Sequence, residues 1–274
     1  MPLMTPQSTD LSGPQSAFGQ GAPSVSTHES PPVGPLDSEG PTKIGPYTLL
    51  GIIGEGTNGR VYRARRDAGG PTVALKHVCL DSAQIRGKGI DYFRERIKRE
   101  ARALDRLRSP HTVGLLDFIE ISPEAFGIVM EYAEGPTLHD MLCSNGRLGV
   151  DRAIELAIQI GGAMEQIHRA GTIHRDLKPS NVVVSRRPDG SDFVRLLDFG
   201  TVRGEHDATI TSDFIGTPLY ASPEQFRNNS VGPGTDIYSL GALLYHMVVG
   251  EPPYVGSSIP TVVRKHICDP VPSM

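Results

Sequence analysis

Residues His174 to Gly200 constrain the chain more than any other stretch. They read His174-Arg175-Asp176-Leu177-Lys178-Pro179-Ser180-Asn181, then Val182-Val183-Val184, a polar turn, and Leu196-Leu197-Asp198-Phe199-Gly200. An acid, an amine and an amide fall within one short proline-bearing loop, and a second acid follows a hairpin. Acids and amides on loops held between apolar strands are oxygen ligands suited to Mg²⁺, and a carboxylate there can receive an incoming hydroxyl. The rest of the chain can be read for what such a loop requires around it.

With 274 residues the chain has room for one large domain or two small ones, and a hydrophobic share of 38% is enough to bury a core. The net charge of −4 points to neither a nucleic-acid nor an acidic-membrane partner. Cys79, Cys143 and Cys268 are far apart and show no metal-ligand spacing, which fits a reduced, cytoplasmic compartment. The start, Met-Pro-Leu-Met-Thr-Pro, lacks the basic and apolar regions of a signal peptide. Ile237 to Val249 is too short to span a bilayer and contains His246, so it reads as a buried helix and no membrane segment is expected.

Residues 1–44 are rich in Pro, Ser, Gly, Gln and Thr, with almost no apolar periodicity. Such a segment cannot bury enough surface to offset the entropy of ordering, so it is expected to be a disordered tail. The folded part then runs from 47 to 274. Strand-like Tyr47–Ile53 and Arg60–Ala64 flank a glycine turn, and Thr72–Val78 is a third strand. Asp91–Arg108 places Phe93, Ile97, Glu100, Leu104 and Leu107 on one helical face. Val113–Ile121 and Ile128–Tyr132 complete a five-stranded antiparallel sheet with one helix over residues 47–132. From 136 the chain is mostly helical, with helices at 137–143, 151–170, 236–249 and 259–266 and a hairpin of strands 182–184 and 193–197. In the second of these helices Ile154, Ala157, Ile158, Ala163, Met164 and Ile167 supply the apolar positions.

Gly54-x-Gly56-x-x-Gly59-x-Val61 lets backbone N–H groups approach phosphate. Alone it is equally a tight hairpin, and the strand that follows argues against a Rossmann helix. Lys76 in Val73-Ala74-Leu75-Lys76 and Glu100 are each awkward on an apolar element. Pairing them resolves both and leaves the ammonium able to touch a phosphate.

With these motifs in order, together with Ser222-Pro223-Glu224, the chain resembles a eukaryotic-type (Hanks-type) protein kinase over residues 47–274. Asp176-Leu177-Lys178-Pro179-Ser180-Asn181 and Gly216-Thr217-Pro218 resemble the Ser/Thr branch. Ser222-Pro223-Glu224-Gln225 and Thr235-Asp236 look most like bacterial members.

The resemblance implies an α+β, bilobal fold and a Ser/Thr protein kinase that transfers the γ-phosphate of ATP. It implies that Ile53, Gly54, Glu55, Gly56, Thr57, Asn58, Gly59, Arg60 and Val61 cover the phosphates, that Lys76, held by Glu100, contacts them, and that Val61, Ala74 and Val183 sandwich the adenine. The backbone of Glu131 and Ala133 would hydrogen-bond the base, with Met130 guarding the back pocket. Asn181 and Asp198 would ligate Mg²⁺, with Mn²⁺ as an alternative. Asp176 would act as catalytic base and Lys178 would neutralise charge on the moving group. Leu104, Leu115, His174 and Phe199 would stack between the lobes, with His174 as scaffolding. Arg175 would receive a phosphorylated Thr209, Thr211 or Ser212, Thr211 foremost. The expected partner is a protein substrate with Ser or Thr, with a dimer as one route to autophosphorylation.

Two departures carry expectations. Ser222 replaces the family's alanine, with little consequence expected. The family's helical lobe continues past Met274 with an Arg that pairs with Glu224, so the lobe is expected to lack its last helices and Glu224 its cation. That leaves a non-catalytic, kinase-like scaffold as the alternative function.

Overall fold

The computed structural model describes residues 42–56, 59–80, 89–92, 94, 95, 98, 109–197, 218–227 and 231–274. Its first part is a six-stranded sheet in the order β1-β2-β3-β4-β6-β5, with every neighbouring pair antiparallel. The strands are β1 (Lys43–Ile44), β2 (Tyr47–Gly56), β3 (Gly59–Arg66), β4 (Thr72–Cys79), β5 (Leu115–Ser122) and β6 (Ala125–Glu131).

The sheet therefore has one strand more than the sequence pattern gives. Lys43 and Ile44, placed by composition in the tail, pair with Thr48 and Tyr47. A two-residue strand with one apolar side chain has no periodicity to read. It holds because Ile44 is buried with Tyr47, Leu49 and Val129, while the Lys43 ammonium meets Asp67 at 2.9 Å.

Strand β4 is buried along most of its length because apolar clusters cover both its faces. Val73 and Leu75 join Ile44, Leu49 and Tyr62 on one side, whereas Val78 joins Ile128 and Met130 on the other. Side chains alternate along a strand, so Lys76 leaves β4 on the side of Ala74 and Val78. Helical backbone at 91, 92, 94, 95 and 98 lies within the span where a helix is expected, and it begins one residue earlier, at 90.

The second part contains α1 (Leu138–Asn145), α2 (Val150–Arg169), the hairpin β7 (Val182–Arg186) and β8 (Asp192–Leu196), α3 (Pro223–Phe226), α4 (Pro233–Val249) and α5 (Ile259–Cys268). Helix α1 starts at a reciprocal cap: Asp140 N–H donates to Thr137 Oγ1 at 3.1 Å, and Thr137 N–H to Asp140 Oδ2 at 2.9 Å. Helix α2 buries Ala153, Leu156, Ile160, Ala163, Met164 and Ile167. Ile154 and Ile158, expected on the apolar face, are instead 46% and 68% exposed. The helix carries two apolar stripes, and the one bearing Leu156 and Ile160 meets α4 and β8.

Between the two parts, Gly135 has φ +126°, and a Cβ there would sit 2.7 Å from the Val184 carbonyl oxygen. Only glycine lets the connection lie this close over β7. Leu115 packs against the cores of both parts. Among the described residues, no helix is long and apolar enough to cross a membrane.

Candidate active site

The loop between α2 and β7 brings Asp176, Lys178 and Asn181 together. Lys178 Nζ lies 2.8 Å from Asp176 Oδ2, and Asn181 Nδ2 lies 3.2 Å from the same oxygen and 2.8 Å from the Asp176 carbonyl oxygen. The amide of Asn181 thus faces Asp176 with its NH₂, which leaves the lone pairs of Oδ1 as its ligating group. A short 3₁₀ turn, Pro179–Asn181, makes this possible, and the fixed φ of Pro179 starts it.

The loop is held from beneath. His174 is fully buried, and its two ring nitrogens are occupied: Nδ1 accepts from Asp176 N–H at 3.3 Å, and Nε2 lies 3.1 Å from the Leu197 carbonyl oxygen. That arrangement suits a neutral ring with its proton on Nε2 and leaves no nitrogen for proton transfer. Leu197 N–H also donates to the Asn181 carbonyl at 2.8 Å, tying the start of the Asp198 segment to the loop.

Sequence reasoning missed the main anchor. Asp236 has no exposed surface, and its carboxylate accepts the N–H groups of His174 and Arg175 at 2.9 and 2.8 Å, with His168 Nε2 at 2.7 Å. The available signal was an acid in the first turn of an otherwise apolar helix, where an unpaired charge is untenable. Arg175 has φ +67°, unique among the described non-glycine residues.

Ser222, expected to matter little, is fully buried and caps α3. Its backbone N–H donates to Gln225 Oε1 at 3.0 Å, and Gln225 Nε2 reaches the Arg175 carbonyl at 2.8 Å. Glu224, expected to lack its cation, accepts a hydrogen bond from the neutral Thr235 Oγ1 at 2.8 Å. Nearby, burial raises the Tyr220 phenol and lowers His246, so Tyr220 stays protonated and its hydroxyl meets a neutral His246 Nδ1 at 2.6 Å.

In the sheet, Lys76 is 8% exposed on β4, opposite Val61 of β3 and Ile128 of β6. Met130, Ala133 and Val183 share one apolar cluster, and Ala74 lies beside Met130 in the sheet. Glu131 N–H donates to the Gly114 carbonyl at 2.9 Å, and its carboxylate lies 3.6 Å from Arg195 Nη1. In the glycine turn, Glu55 and Arg60 form an ion pair at 2.8 Å. Gly59 has φ +127°, and a Cβ there would fall 1.8 Å from the His77 carbonyl oxygen, so packing against β4 alone requires glycine. Gly54 lies opposite Val61. Thr57, Asn58, Glu100, Leu104, Asp198, Phe199, Thr209, Thr211 and Ser212 lie outside the described residues.

A family model described as the protein kinase domain matches residues 47–272. The chain belongs to the protein kinase family. It is 37% identical over 238 residues to the serine/threonine-protein kinase PknH of Mycobacterium tuberculosis strain H37Rv, covering 86% of this chain and 36% of that protein. Serine/threonine-protein kinase pkn3 of Myxococcus xanthus is 34% identical over 235 residues, covering 82% and 42% respectively. PknE of M. tuberculosis strain CDC 1551 is 36% identical over 241 residues, covering 87% and 41%. The chain thus spans 36 to 42% of the length of these relatives, all bacterial.

Proposed function

We propose that the chain is a serine/threonine protein kinase that transfers the γ-phosphate of ATP to protein hydroxyls. The observation that carries this reading is the Asp176 carboxylate, held by Lys178 Nζ at 2.8 Å and Asn181 Nδ2 at 3.2 Å on a loop anchored to the helical core. A carboxylate so fixed can accept the hydrogen bond of a substrate hydroxyl and aim its oxygen at phosphorus. Lys178, already beside that carboxylate, offsets negative charge as the phosphoryl group moves.

Bound nucleotide and metal supply the phosphoryl group and charge neutralisation. The Oδ1 of Asn181, with Asp198, gives the hard oxygen donors that Mg²⁺ or Mn²⁺ takes. Residues Ile53 to Val61 (including Thr57 and Asn58) cover the phosphates, and Lys76, paired with Glu100, holds them. The apolar surfaces of Val61, Ala74 and Val183 take the adenine. The Glu131 N–H is already used by Gly114, so its carbonyl and the Ala133 N–H are the backbone groups offered to the base. The Arg175 guanidinium pairs with the phosphorylated side chain of Thr209, Thr211 or Ser212, as guanidinium groups pair phosphate well. A cytoplasmic location fits Cys79, Cys143 and Cys268, which are free and exposed.

The test is incubation with γ-labelled ATP, Mg²⁺ and a protein rich in Ser and Thr, followed by phosphoamino-acid analysis. Cation-dependent label on Ser or Thr is expected. Absence of label, or label confined to Tyr, would overturn the assignment.

A further inference from the structure

We propose that Gln225 is a positioning residue for Asp176, joining the helix cap at Ser222 to the strained turn of the catalytic loop. Arg175 occupies the left-handed region at φ +67°, a strained conformation that persists only where its surroundings over-determine it. Both of its backbone polar groups are taken by side chains from residues 222–236. Its N–H donates to Asp236 Oδ1 at 2.8 Å, and its carbonyl accepts from Gln225 Nε2 at 2.8 Å.

That carbonyl belongs to the peptide plane that also carries the Asp176 nitrogen. The other edge of the plane is held as well, because Asp176 N–H donates to His174 Nδ1 at 3.3 Å. The plane leading into Asp176 is thus fixed at its oxygen by Gln225 and at its N–H by His174. Rotation of that plane would swing the Asp176 carboxylate away from Lys178 and Asn181.

Gln225 is 6% exposed and divides its amide between two tasks. Its Oε1 accepts from Ser222 N–H at 3.0 Å and Ser222 Oγ at 3.3 Å, the N-terminal cap of α3. Its Nε2 reaches back 50 residues to Arg175. Glutamate serves a capping box as well as glutamine does, but it has no hydrogen to give a carbonyl. The two tasks are therefore separable by substitution.

The kcat part of the test rests on the kinase reading above; the exchange part does not. Gln225→Glu keeps the acceptor for Ser222 and sets a carboxylate against the Arg175 carbonyl. Gln225→Met, uncharged and of similar volume, removes all three bonds. Ser222→Ala removes the cap hydroxyl and leaves the Gln225–Arg175 bond in place. Steady-state kinetics and amide hydrogen exchange are measured on the full chain, with the β7–β8 hairpin as an internal control for folding. Both Gln225 variants are expected to lower kcat about tenfold or more, with KM for ATP nearly unchanged, and to speed exchange in residues 172–178 alone. Ser222→Ala is expected to lower the melting temperature while leaving kcat and loop exchange as in the wild type. Wild-type exchange in Gln225→Glu, faster exchange with unchanged kcat, or equal loosening and kcat loss in Ser222→Ala would each overturn the proposal. If the wild type transfers no phosphate, the kinase reading fails, and loop exchange in the three variants still decides whether Gln225 holds Arg175.

Discussion

The carboxylate of Asp236, itself fully buried, and the backbone N–H of Arg175, 61 residues apart in sequence, meet at 2.8 Å. The second oxygen of Asp236 takes the His174 N–H at 2.9 Å and faces His168 Nε2 at 2.7 Å. The loop bearing Asp176 is therefore anchored on the central helix α4. Asp236→Asn keeps the shape but turns an NH₂ towards groups that themselves donate. The expected cost is about 2–4 kcal/mol in urea unfolding, with a loss of phosphotransfer that exceeds the loss of folded protein.

Gly54 and Gly59 answer to different demands. A Cβ at Gly59 would collide with the His77 carbonyl oxygen, and its φ is +127°. At Gly54 an added Cβ would make only ordinary contact with Val61, at 3.7 Å. Gly59→Ala is expected to cost about 2–4 kcal/mol with or without nucleotide. Gly54→Ala is expected to leave the melting temperature of the free protein unchanged and to weaken ATP binding. Melting curves with and without ATP·Mg²⁺ separate the two.

Asp192 joins α2 to the β7–β8 hairpin. Its side chain is 4% exposed and receives Arg152 Nε at 2.6 Å, Arg152 Nη2 at 3.1 Å and Arg186 Nε at 3.2 Å. Asp192→Ala takes this carboxylate from both guanidinium groups, and among the described residues only Arg186 keeps another acceptor, the Gly190 carbonyl. A loss of about 3 kcal/mol is expected, read from the urea midpoint. Val183 of the hairpin packs with Met130 and Ala133, so on the proposed reading nucleotide affinity should fall with it.

His266 on α5 sits among Phe226, Tyr238 and Tyr254, with Tyr238 Oη 2.7 Å from its Nδ1. Burial pushes its imidazole down to about 4. Unfolded, it titrates near the usual 6.5. Between those values the unfolded chain binds a proton that the folded chain does not, so stability is full above the upper value and falls as pH drops towards the lower. His266→Phe should reduce the loss of stability between neutral pH and the lower value by on the order of 2 kcal/mol. Urea unfolding of both proteins across that range tests it, and an equal loss in both would contradict it.

The strands from Tyr47 onwards and the spacing of Asp176, Lys178 and Asn181 were legible because local pattern dictates them: alternation, glycine turns and polar groups packed into one loop. His174 could be read as scaffolding from its motif, and its burial agrees. The anchors were not legible. Asp236, Gln225 and Ser222 act on Arg175 and on the cap of α3 through contacts that close only when α4 packs beneath the loop, and no periodicity records a contact between residues 50 or 61 positions apart. The exposed side of α2 was misread for a related reason. Ile154 and Ile158 form an apolar stripe as regular as the buried one, and only packing chooses between them. Lys43 and Ile44 were lost because a two-residue strand carries no pattern of its own.

The most direct measurement compares wild type and Asp176→Asn in transfer of labelled phosphate from ATP to a Ser/Thr-containing protein, with nucleotide binding measured on both. The asparagine keeps an oxygen for Lys178 but cannot take up a proton. The account predicts that ATP binding is retained within about threefold while transfer falls by at least about a hundredfold. Equal transfer by the two proteins would contradict it.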